Sequence, residues 1–210
     1  MRHIKQYIFA IFALIQAVHA SQIVPVQQKF DAVSVQKSIK ENGWKKILKN
    51  EIYVTSNVED LKKSSVSHQK LRFKIAGLHP KSCRFALRKL SHYESYSNHI
   101  GFIKRSSYDE KTQRVDFLLS STVLPYDMGL NFSIPRIKRP GTYPFIFDQG
   151  FLSGLKGQII AIKYKNRCLF YTHASWEGPH TGIPNTIFEF FSKALAGISM
   201  KNLFRISSTY

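Results

Sequence analysis

Two cysteines and six histidines carry most of the reactive chemistry beyond the first twenty residues. His92 and His99 are seven apart with Glu94 near them, and His173 and His180 flank Trp176 and Glu177. Imidazole titrates near neutrality, so either group suits acid–base work or a metal, yet structural histidines are far commoner than ligands. Two cysteines without histidines at motif spacing make no structural zinc site. Gly150-Phe-Leu-Ser-Gly154 has the wrong spacing for a nucleophile elbow, and no phosphate-binding or dinucleotide glycine loop is present. No catalytic residue, metal ligand or cofactor is therefore assigned. An enzymatic reading, as a cyclase or hydrolase, would have to use an isolated buried polar group such as His173, Tyr126 or Asp148. Cys83 and Cys168 form one disulfide or remain two buried thiols; the sequence leaves both open.

Charge narrows the partners. The chain carries +18, from 31 Lys and Arg against 13 Asp and Glu. Such a field attracts polyanions. Arg2 and Lys5, the apolar run from Tyr7 to Val18 and the small-residue site Val18-His19-Ala20 have the pattern of a secretory signal peptide spanning 1–20. The run is short for a membrane-spanning helix, which needs about 20 apolar residues. The expectation is an exported protein, periplasmic or secreted, whose mature part keeps +16 once Arg2 and Lys5 are removed. Export makes nucleic acid a poor partner and anionic lipid a better one. Arg136, Lys138 and Arg139, with Ile137 read as exposed among them, form a basic hairpin suited to peripheral membrane contact, although charge runs more often only solvate a face.

The elements that would position these groups follow from periodicity. Residues 21–42 read as a tether and short helix, with Gly43 breaking the helical pattern of Gln36 to Lys49 in two. Glu51 to Ser56 is rich in strand formers, and Lys70 to Ile75 alternates strictly. Lys81 to Leu90 reads as a helix. Ile100 to Arg105, Arg114 to Thr122, Met128 to Ile134, Tyr143 to Phe147, Gln158 to Tyr164 and Cys168 to Ser175 read as consecutive strands, with a tight turn at Asn166. A long helix from about Ile183 to Phe204 ends the chain, with Pro184 in its first turn and Ile187, Phe191, Ala194 and Ile198 on one stripe. A sheet with one apolar face must be covered. One helix across a wide concave sheet covers it and often leaves a hollow.

Three stretches carry a family resemblance. They are Gly43-Trp44 before the first strand, Leu90-Ser-His-Tyr-Glu-Ser-Tyr96 after the short helices, and the terminal helix with Ile183-Pro184, Phe191-Ser192 and Leu203-Phe204-Arg205-Ile206. Residues 43–207 resemble the START and polyketide-cyclase-like (SRPBCC) superfamily. His92 stands where an aspartate is usual, and His99 where a tryptophan is common. The resemblance implies an α+β helix-grip fold, in which a curved antiparallel sheet wraps a long C-terminal helix. It also implies room for a lipid or other hydrophobic small molecule. Phe117, Leu119, Met128, Leu130, Phe132, Phe145 and Phe147 on the strands, with Ile187, Phe191 and Ala194 on the helix, are the expected lining. Periodicity alone allows the same residues to fill a solid core.

Overall fold

The computed structural model describes residues 30–63, 66–122, 124 and 126–209. The expected signal peptide lies outside the described residues. Period-two alternation becomes eight strands: β1 (Tyr53–Lys63), β2 (Val66–His79), β3 (Ile103–Asp109), β4 (Arg114–Leu119), β5 (Met128–Ser133), β6 (Gly141–Gly150), β7 (Lys156–Tyr164) and β8 (Arg167–Pro179). They form one curved antiparallel sheet in the order β1-β2-β8-β7-β6-β5-β4-β3. β3 to β8 is an unbroken meander, and β8 closes on β2 with Ile75 opposite Thr172 and His79 opposite Cys168. Helix α3 (Cys83–Leu90) and a 3₁₀ turn (Tyr93–Asn98) carry the chain from β2 to β3 at the opposite edge.

The two sheet faces bury separate cores. On the inner face, Leu71, Val115, Phe117, Leu119 and Phe145 join α3 and the terminal helix α4 (Asn185–Ser208) in the larger one. On the outer face, helices α1 (Ala32–Ser38) and α2 (Glu41–Leu48) press Val35, Ile39, Trp44 and Ile47 onto Ala76, Ile160, Leu169 and Tyr171. Asp31 caps α1, its carboxylate accepting from the Ser34 backbone N–H at 2.7 Å. The helical stretch is split, as its pattern predicts, but between α1 and α2 rather than at Gly43. Gly43 lies inside α2 because the helix there touches β1: a Cβ would sit 2.3 Å from the Tyr53 ring.

Helix α4 is tied to β2 at both ends. Near its start, the fully buried Gln69 donates from Nε2 to the Ile183 carbonyl at 2.9 Å and to Asn185 Oδ1 at 2.7 Å, while Thr181 Oγ1–H donates to its Oε1 at 2.8 Å. Near its end, the fully buried His79 accepts the Lys81 N–H at Nδ1, 3.0 Å away, so its proton sits on Nε2 and donates to Ser207 Oγ at 2.9 Å. The spans agree. The ten residue steps of β2 from Gln69 to His79 rise about 33 Å, and the 24 residues of α4 about 36 Å. Gly77 permits the close approach at the His79 end, where a Cβ would stand 2.9 Å from the Phe204 ring. A disulfide, Cys83–Cys168, joins α3 to β8 in the same region, and so settles the thiol pair as bonded.

Candidate ligand cavity

Between these two anchors, α4 does not fill the sheet. Two overlapping apolar compartments of about 300 Å³ each lie between them. Folded interiors hold few voids larger than a water molecule, and ligand pockets begin near this size. The space is a cavity, not loose packing.

Its walls come from inward side chains of seven strands, β2 to β8. Phe117 and Phe132 border both compartments, and Leu119, Leu130, Phe145 and Phe147 border the first. The rings interlock: Phe132 stacks on Phe147 at 4.8 Å and meets Phe117 edge-on at 5.7 Å. Met128 lines an adjoining hollow of about 80 Å³ together with Phe191. The strand residues expected to line a cavity are thus gathered on one face, as alternation requires. Phe73, Ile159 and Thr172, on β2, β7 and β8, also line it, and so does Tyr96 from the 3₁₀ turn.

The helix side differs from its expected stripe. Ile187 is 45% exposed and Ile198 49% exposed, and neither Ile187 nor Ala194 borders the cavity. The inward surface is instead Ser192, Leu195, Ala196, Ser199 and Leu203. The physical reason is that α4 is apolar around most of its circumference, so a stripe of large side chains does not fix its rotation. The hollow lies under the small residues Ser192, Ala196 and Ser199, at i, i+4 and i+7. That spacing is present in the sequence and is the signal a search for bulky stripes passes over.

The wall contains no acid, base or thiol: no Asp, Glu, Lys, Arg, His or Cys borders either compartment among the described residues. Its polar atoms are hydroxyls. Tyr96 O–H donates to the Leu90 carbonyl at 2.7 Å, and Tyr93 O–H donates to the Pro135 carbonyl at 3.0 Å. Burial pushes both phenols well above their ordinary range and keeps them neutral. The residues considered for an enzymatic role lie elsewhere. His173 is on the outer face, where burial and then the nearby Lys74 hold its imidazole below the usual range. Asp148 is held by Arg114, whose hydrogen bonds to the carboxylate include one of 2.7 Å and keep it below the usual carboxylate range. Tyr126 is 48% exposed, edge-on to Phe151. The His92 ring meets Glu94 at 3.3 Å, His180 lies 3.6 Å from Asp60, and no cluster of three metal-binding side chains occurs among the described residues.

A larger concavity than either compartment is an open trough of about 930 Å³ across the outer face, bordered by Arg72, Lys74, Lys156, Gln158 and His173. It is more open than the inner cavity, which lies between the sheet and α4.

The basic segment after β5 divides. Ile137 is buried at 5% exposure, contrary to its expected place on the surface, because Tyr93 anchors this turn and accepts the Ile137 N–H at 3.2 Å. Arg136 follows it inward. Its side chain is 13% exposed, and its guanidinium pairs with Glu94 at 3.0 Å and with Glu110, donates to the Ser91 carbonyl at 2.6 Å and lies 4.4 Å from the Tyr108 ring centre. It is spent on internal contacts and is not free to meet a membrane. Lys138 and Arg139 remain exposed.

The same architecture occurs in solved proteins. A START superfamily protein from Mycobacterium smegmatis superposes with a TM-score of 0.52 at 8% identity, over 65% of this chain and 97% of its own. Ara h 8.0201 gives 0.53 at 10% identity, over 67% and 99%. A STAR-related lipid transfer protein from Xanthomonas axonopodis gives 0.50 at 10%, over 73% and 99%. The fold is the helix-grip, SRPBCC-type fold. No family model matches the sequence, and no curated protein matches it.

Proposed function

We propose that the protein binds a lipid or other hydrophobic small molecule in its inner cavity and carries or sequesters it in the cell envelope. The carrying observation is the apolar double compartment beneath α4, walled without a charged side chain. The lipid-transfer name borne by the Xanthomonas neighbour supports the same reading. A wall without an acid or base favours binding over a cyclase or hydrolase reaction, which would need a proton-transfer group in reach.

Export of the mature protein from residue 21 is part of the proposal, and the Cys83–Cys168 bond supports it, because disulfides persist in oxidising compartments. An intact mass beginning at Ser21 in the envelope fraction tests this. Contact with an anionic membrane through Lys138 and Arg139 completes it. The test of binding is uptake: the purified protein should enhance Nile red fluorescence, and native mass spectrometry should show a mass shift removed by solvent extraction. A folded, ligand-free protein that takes up no apolar dye would overturn the reading.

A further inference from the structure

Among the described residues, every hydroxyl facing the cavity is committed inside the protein except two. Tyr93 and Tyr96 donate to backbone carbonyls. Ser56 and Ser192 bond to each other at 2.6 Å, and Ser192 also reaches the Glu189 carbonyl. Thr172 on β8 and Ser199 on α4 make no hydrogen bond through their side chains among the described residues, and no fully enclosed side-chain oxygen there lacks a partner. Their oxygens therefore open onto the cavity.

Ser199 is the exception on its own helix. Ser192, Ser207 and Ser208 each turn their hydroxyl onto a carbonyl of the preceding turn, the ordinary way for a helical serine to satisfy itself. Ser199 has the same option and does not take it. Thr172 sits on the inner face of β8, with Ile75 opposite it on β2 and Ile159 opposite it on β7. A hydroxyl among aliphatic neighbours costs stability unless something pairs with it.

Both residues border both compartments, so they mark the junction. Apolar walls extend to either side, toward Leu119 and Phe147 in one direction and toward Leu87 and Met200 in the other. A buried carboxylate or ammonium would find no counter-charge there. Each hydroxyl can both donate and accept.

We propose that Thr172 and Ser199 form the polar contact of this cavity, and that its ligand is an uncharged hydrophobe with a hydrogen-bonding oxygen near the middle of its body. A ketone, a mid-body alcohol or a lactone fits; an amphiphile that buries a charged head does not. The inference rests on the ligand-binding reading above.

Fluorenone and fluorene test it, being three-ring neutral molecules that differ by one central carbonyl. Isothermal titration of the wild type should show fluorenone binding about 3- to 10-fold tighter, the worth of one neutral hydrogen bond. Thr172→Val with Ser199→Ala should remove that preference by weakening fluorenone, while fluorene, which makes no hydrogen bond, should bind no more weakly than to the wild type. Both substitutions conserve size and suit their elements, and the single variants separate the two hydroxyls if the double one is unstable. Equal binding of the two compounds by the wild type, or a preference that survives in the double variant, overturns the hydroxyl pair while leaving the cavity reading intact. A folded wild type that takes up neither compound nor Nile red removes the cavity reading itself.

Discussion

Ala196→Phe asks directly whether the space under α4 is empty. Ala196 borders both compartments from the helix side, so an added ring enters them rather than solvent. Burying a phenylalanine side chain in apolar space contributes about 1.5–3 kcal/mol, against a loss of helix propensity of about 0.5 kcal/mol relative to alanine. These terms sum to a gain of about 1–2.5 kcal/mol, lessened toward zero where wall side chains must shift around the ring, so the variant should be as stable as the wild type or up to about 2.5 kcal/mol more stable. For a chain of this size each kcal/mol moves Tm by about 2–4 °C, so the expected change is between zero and a rise of several degrees. In a filled core the same ring would overpack and cost about 1–3 kcal/mol, lowering Tm by a comparable amount. Nile red uptake should fall at least roughly tenfold, because dye and ring compete for one space. Ala194→Phe is the matched control, two residues away on the same helix and outside the cavity lining. It should leave uptake unchanged. Differential scanning calorimetry with dye titration reads both quantities. A clear fall in Tm for Ala196→Phe, or normal uptake in a stable variant, would refute the reasoning.

The disulfide closes a separation of 85 residues, for which chain entropy gives at most about 4–5 kcal/mol; reduction, or paired Cys→Ser replacement, should lower the unfolding midpoint accordingly in a denaturant titration. Burial, then the charges of Arg167 and Lys81, hold the His79 imidazole below its ordinary pKa. The unfolded chain then binds the extra proton first, so stability is full above about pH 6.5 and declines as pH falls below it. His79→Gln should flatten that decline in thermal melts run from pH 7.5 to 5, and an unchanged slope would remove His79 as its source. Lys138 and Arg139 changed together to Gln should weaken binding to anionic vesicles and its salt dependence. Arg136→Gln should instead cost on the order of 1–3 kcal/mol of stability, because it breaks charge-assisted hydrogen bonds.

Local pattern determined much of this protein. Alternation put Phe117, Phe132 and Phe145 on one face because side chains on a strand can only alternate, and a meander of such strands with one long apolar helix admits few architectures. The length of α4 and its proline start were equally local. What local pattern could not supply was the rotation of a helix that is apolar on most sides. There Ala194 and Ala196 look alike, and only docking onto β1 and β2 turned Ala196 inward. Contacts between distant residues were out of reach for the same reason. Gln69 and His79 read as ordinary polar residues of a strand until α4 is laid over them, 114 and 128 positions away. Arg136 looked like a surface cation until Glu94 and Tyr108 closed around it. The two open hydroxyls belong to the same class: a threonine and a serine become a ligand contact only when every neighbouring hydroxyl has found its partner elsewhere, and tertiary packing alone assigns those partners.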